Sequence, residues 1–199
     1  YSWDYPYWKD DISRVIGVIK AVGIMSEKRK DNRIIYSNMG DGAPNRLLDV
    51  ASIIGYAMLE RYLIEELCQA NYSVGCGQLF GNIPIKIAHW LALYDVLKTN
   101  HNVICFVYGN TVDPTEDFSS NYAIVTAEVI PMVVAELIYK TGATFVPVPA
   151  SEVTRVPTKE EIAEVQAVAR IAQSKAKEFE KMLDFSSINE IRSLLINKG

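Results

Sequence analysis

The residues able to do chemistry fall in four loops, each following a predicted strand: Gly40 to Asn45, Gly75 to Asn82, Tyr108 to Asp117 and Pro149 to Lys159. The last is the richest, gathering Glu152, Arg155, Lys159 and Glu160 around one strand end. Such a set suits acid–base work on an anionic substrate, with Glu152 and Arg155 as catalytic candidates, or forms a plain salt-bridge cluster. In the third loop Tyr108, Asn110 and Thr111 lie nearest the strand end and are candidates for holding a ligand, whereas Glu116 and Asp117 read as solvated. The second loop runs Gly75-Cys76-Gly77-Gln78-Leu79-Phe80-Gly81-Asn82. It has one residue too many between its second and third glycines for a dinucleotide fingerprint, and no acidic residue closes the next strand. Its glycines either make a tight turn or let a large flat ligand or another backbone come close, with Gln78 and Asn82 offering amide donors and acceptors. The first loop lacks the Lys-Ser/Thr pair of a phosphate loop, and Asp41 and Asn45 read as helix caps.

Other chemistries find no support. His89 and His101 do not pair, no carboxylate stands at ligand spacing from them, and no metal site is expected. There is no Gly-x-Ser-x-Gly elbow and no Cys-His pair for covalent hydrolysis. Net charge is -4 with Lys and Arg scattered, which argues against nucleic acid as a partner. The three cysteines, Cys68, Cys76 and Cys105, have no Cys-x-x-Cys spacing and are odd in number, as expected in a reducing cytoplasm. The greasiest stretch, Ala123 to Ile138, is interrupted by Glu128, Pro131 and Glu136 and reads as too short to span a bilayer, so no membrane association is expected.

The elements that position these loops alternate. Asp10 to Lys30 reads as a helix, with Ile12, Val15, Ile16, Ile19 and Val22 on one face. Four strands are expected at 33–37, 71–76, 103–107 and 143–148, the last weakened by Pro147, which has no N–H for a ladder. Helices are expected from Leu47 to Gln69, Ile83 to Lys98, Ser120 to Lys140 and Lys159 to about Leu183, the last opened by a capping box of Thr158 and Glu161. Together 1–32 make an N-terminal arm and helix, 33–183 four β-α units, and 184–199 a tail with a small helix, all in a single α/β domain. Short-looped alternation predicts a parallel sheet whose active face is the C-terminal loops. A complete α/β barrel needs ~250 residues, so four units would be about half of one.

Three segments resemble the large (epsilon) subunit family of glutamate mutase, also called methylaspartate mutase. They are Ser73 to Ile83, Pro114 followed by Ile124-Val125-Thr126-Ala127, and Ala143-Thr144 followed by Glu152 and Pro157-Thr158-Lys159-Glu160. The resemblance covers roughly residues 70–175 and implies the C-terminal half of a (β/α) barrel of the cobalamin-dependent mutase type. It further implies adenosylcobalamin as cofactor, an amino-acid substrate, and a hetero-oligomer with a small cobalamin-binding subunit, whose Asp-x-His-x-x-Gly motif this chain lacks. The implied reaction is a radical interconversion of L-glutamate and 3-methylaspartate. By the same resemblance Thr158, Lys159 and Glu160, with Glu152 as a further candidate, would hold the adenosyl ribose. Gly75, Gly77 and Gly81 would admit the corrin edge or adenosyl group, with Gln78, Asn82, Tyr108 and Asn110 bonding nearby. The chain departs from the family at Arg155, at Lys86, where an acid is usual, and over the loop from Val107 to Val112. The family's substrate arginines come mostly from earlier strands. Substrate is therefore glutamate or a related amino acid. The alternatives are a cobalamin-independent α/β enzyme acting on a small anionic metabolite, a non-catalytic barrel relative, and an interaction module using the aromatic arm of Trp3, Tyr5, Tyr7 and Trp8.

Overall fold

The structure, a computed structural model, describes residues 11–28, 34–40, 47–97 and 104–199. The aromatic arm, residues 41–45 of the first loop and His101 lie outside these residues. In chain order the elements are α1 (Asp11–Lys28), β1 (Ile34–Gly40), α2 (Leu47–Arg61), β2 (Asn71–Cys76), α3 (Ile83–Leu97), β3 (Ile104–Tyr108), α4 (Phe118–Tyr139), β4 (Thr144–Val146), α5 (Lys159–Phe179) and α6 (Ser186–Lys198).

The four strands pair in parallel in the order β1-β2-β3-β4. Each successive strand joins the same growing edge, so right-handed crossovers put the intervening helices on one face. The register bears this out. Ile35, Tyr72, Val74, Cys76, Cys105 and Val107 point into one apolar core with Ile54, Leu91, Leu93 and Leu97 of the helices. The alternate positions, Tyr36, Ser73, Gly75, Phe106 and Tyr108, share the opposite face. The finding is an α/β fold with a parallel sheet.

Local physics sets the element ends. β4 stops at Val146 because Pro147 follows, and it has three residues rather than the expected six. The expected helix from Leu47 to Gln69 is α-helical to Arg61 and then widens into a π-helical segment, Tyr62–Leu67, which turns Leu63 and Ile64 into the core. The capping box that opens α5 is complete: Thr158 N donates to Glu161 Oε2 at 2.8 Å and Glu161 N to Thr158 Oγ1 at 3.3 Å. Asp117, expected to be merely solvated, is the N-cap of α4 and accepts from the backbone of Ser119 and Ser120.

Two helices differ from expectation in their surroundings. With 22 residues, α4 is long and apolar enough by length and composition to cross a membrane, contrary to the expectation that this stretch is too short. Val129, Val134 and Ala135 are buried, and so is Glu128 in mid-helix, where it pairs with Lys86 of α3. The expected C-terminal tail is largely α6, an amphipathic helix that lies back across α2 and α3. Ile188 and Leu195 enter the core, and Arg192 grips Asp95 of α3 through two bonds of 2.6 Å.

Candidate functional site

The loops after β2 and β3 meet at the C-terminal edge of the sheet. Thr111 N and Oγ1 both donate to Gln78 O, at 2.9 and 3.0 Å, and join the two loops directly. Asn121 connects the third loop: its Nδ2 donates to Thr115 O at 2.7 Å and to Ala150 O at 2.6 Å, while its Oδ1 accepts from Thr115 N. One buried amide thus ties the loop after β3 to the loop after β4.

Under this edge lies an ion pair that the sequence reading did not foresee. Lys86 Nζ of α3 reaches Glu128 Oε1 of α4 at 2.5 Å, with both side chains at most 2% exposed. Lys86 also donates to Tyr108 O at 3.0 Å, and Glu128 Oε2 accepts from Asn110 N at 2.9 Å. The pair therefore holds the backbone on both sides of Gly109, just where β3 gives way to its loop. Burial pulls the Lys86 ammonium below its usual range, and Glu128 opposes that shift. The available signal was a lone Lys in the apolar run of α3 and a lone Glu in the apolar run of α4. Two opposite charges, each stranded in a hydrophobic helix, are satisfied most readily by one another.

Asn110 then shapes the loop. Its Oδ1 accepts from Val112 N at 2.7 Å and Asp113 N at 3.2 Å, and its Nδ2 donates to Asp113 Oδ2 at 2.5 Å. Asn110 is 3% exposed and spends its amide on the protein, so it is placed to position the exposed Asp113. Tyr108 is similarly engaged, accepting from the Tyr36 hydroxyl at 2.7 Å.

The glycines give room mainly to the protein's own groups. A Cβ on Gly75 would land on the Tyr36 hydroxyl and press the Tyr108 ring. Gly77 has φ +98°, and a Cβ there would stand 3.2 Å from Tyr108 O and 3.4 Å from the Lys86 chain. Gly81 is exposed, and its open side faces the Asp113 carboxylate. Gln78 is half-buried at the edge, and exposed Asn82 accepts from Ile85 N at the start of α3 through its Oδ1, the one side-chain atom it engages among the described residues.

The charged residues expected around the last loop form a separate group at the start of α5. Arg155 is bidentate with Glu161, at 2.9 and 2.6 Å, so the guanidinium expected to do catalysis serves the helix cap. Glu152 is exposed, and Lys159 and Glu160 approach loosely at 3.6 Å in solvent. Behind the edge, Cys76 and Cys105 lie on the helix-covered face. A hydrogen bond from Cys105 lowers the Cys76 thiol to about 6 against the cost of burial, with the neighbouring His89 adding to the effect. The same bond and burial push Cys105 up. His89 is fully buried and stacks on Phe80 with ring centres 5.0 Å apart.

No protein-family model matches this chain, and no curated protein matches it significantly. Among the described residues no group of three or more His, Cys, Asp or Glu side chains is arranged to hold a metal ion.

Proposed function

We propose that this chain is part of the catalytic (β/α) barrel of an adenosylcobalamin-dependent carbon-skeleton mutase. It would act on L-glutamate or a related amino acid, in the cytoplasm, in a hetero-oligomer with a small cobalamin-binding subunit. The observation that carries the reading is convergence. Each of the three segments that resemble the mutase large subunit contributes residues to a loop that follows a strand, in a sheet whose sequential parallel order is the one a barrel requires. The face bearing Tyr36, Gly75, Phe106 and Tyr108 would then line the barrel interior.

A large cofactor laid across the strand ends would reach two separate groups of donors and acceptors, one in the loop after β2 and one at the start of α5. Gln78, the amide nitrogen of Asn82, and the exposed Lys159 and Glu160 present both donors and acceptors to solvent. These residues would hold the group, and Thr158 would fix the helix start behind them. Tyr108 and Asn110 would act at one remove, by holding the loop in place. When bound, adenosylcobalamin supplies the radical that starts the rearrangement, and the protein's part is to bind, orient and exclude water.

The test is turnover. The native protein is combined with adenosylcobalamin, a cobalamin-binding small subunit and L-glutamate, and 3-methylaspartate is followed. Product dependent on both cofactor and partner is the expected result. Binding of the partner–cofactor complex without product would redirect the search to other amino acids. Absence of binding would overturn the reading.

A further inference from the structure

On the helix side of the sheet, away from the loop edge, a cleft of about 370 Å³ opens between α4 and α5. That lies within the range of roughly 300–1,000 Å³ typical of small-molecule sites. Val107, Val129, Met132, Val133 and Phe145 give it apolar walls. Its polar groups are unevenly committed. Glu136 lines the cleft, but its carboxylate accepts from Thr141 N and Oγ1 and from Gly142 N, closing the end of α4. Trp90 also lines the cleft, and its indole Nε1 is buried with no hydrogen-bond partner among the described residues. A buried N–H left unpaired is costly, so it calls for an acceptor.

The α5 wall supplies the rest. Gln166, Ala169, Arg170 and Gln173 all border the cleft, and their spacing of three, four and seven places them on one helical face. Arg170 makes no ion pair among the described residues, unlike Arg61, Arg155 and Arg192. The buried indole N–H inside the chamber lacks an acceptor, and the exposed Arg170 stands at the α5 wall as a cation free of ion pairs among the described residues.

We propose that this cleft binds a small monocarboxylic acid with an apolar body. The body would lie against Val129, Met132 and Phe145, and the carboxylate would take up Arg170. The site shares no residue with the loop edge, so it stands or falls independently of the mutase reading.

The experiment uses 3-phenylpropionate as the probe and 3-phenylpropan-1-ol as its uncharged counterpart. The chain has three tryptophans, Trp3, Trp8 and Trp90, so Trp3→Phe and Trp8→Phe leave Trp90 as the sole reporter. The expected result is a saturable change in Trp90 emission with the acid and weaker binding of the alcohol. Arg170→Gln, at an exposed position, should weaken the acid by about tenfold or more through loss of a charge-assisted bond. Ala169→Phe, which fills the cleft, should abolish the response to both. An unchanged Trp90 spectrum at millimolar acid overturns the proposal. So does equal affinity for acid and alcohol, or an affinity unaffected by Arg170→Gln.

Discussion

Lys86 and Glu128, 42 residues apart in sequence, meet at 2.5 Å in the core and between them fix the backbone at Tyr108 and Asn110. The charges are therefore used as a clamp on the end of β3. A pair so thoroughly bonded to each other and to main chain has little proton-transfer capacity left, and its effect on any ligand would pass through the loop that carries Asp113.

Removing one partner should be worse than removing both. Lys86→Met or Glu128→Leu strands a buried charge, at a cost of about 3–5 kcal/mol. The double change Lys86→Met with Glu128→Leu should cost clearly less than the sum, losing mainly the two backbone contacts. Urea denaturation of the four proteins measures the coupling. Additive losses would mean that the two side chains do not interact.

The alternation of strands and helices was legible because it rests on local signals: apolar runs, Pro147 ending β4, and Thr158 with Glu161 opening α5. What was not legible is long-range. Periodicity marks Lys86 as an oddity in α3, but it cannot say that its partner lies in α4. Ile188, Ile191, Arg192 and Leu195 share one face of α6, but nothing local says that this face lies across α2 and α3. The π-helical segment at Tyr62–Leu67 serves the burial of Leu63 and Ile64, a tertiary demand without a sequence mark. At the candidate site, the glycines of the second loop were visible, yet their use was not. A missing Cβ looks the same whether a cofactor or the Tyr36 hydroxyl fills the space.

That ambiguity gives a direct test. Gly75→Ala forces a methyl group onto the Tyr36 hydroxyl and the Tyr108 ring and should destabilise the protein by about 1–3 kcal/mol, as overpacking does. Adding Tyr36→Phe removes the nearest obstacle and should recover part of the loss. If Gly75→Ala is silent by thermal and chemical denaturation, the tyrosines do not sit where the structure has them.

Glu161 links helix capping to pH. Its carboxyl is held down to about 2, first by the Thr158 backbone N–H and then by Arg155. A depressed carboxylate contributes stability that is fully present above its ordinary value of 4.5 and is lost as pH falls toward 2. NMR titration of the Glu161 carboxyl should show the low midpoint. The Thr158 backbone, at φ −79°, accepts proline, so Thr158→Pro deletes the N–H with little backbone strain, and the Oγ1 cap on Glu161 N goes with it. It should raise the midpoint more than Arg155→Gln does, and the reverse order would assign the shift to the guanidinium instead.

Under the mutase reading, Lys159 would meet the adenosyl ribose. Lys159→Ala should weaken adenosylcobalamin use by about tenfold, the scale of a hydrogen bond to a charged group. Because the side chain is 91% exposed, stability should not change, which separates a binding role from a structural one. An unaltered cofactor dependence would remove Lys159 from the site.

The docking of α6 sets an apolar contact against an ion pair. Leu195 is fully buried between α6 and its neighbours, whereas the Arg192–Asp95 side chains are 21% and 31% exposed. Leu195→Ala leaves a cavity and should cost about 2–5 kcal/mol. Arg192→Leu gives up a half-solvated bidentate pair, which is worth about 1 kcal/mol at most once screening is counted. Hydrogen exchange along α6 reads both. Leu195→Ala should release the whole helix, while Arg192→Leu should leave its amides protected. The opposite ranking would mean that the ion pair, and not the apolar face, holds α6 against α3.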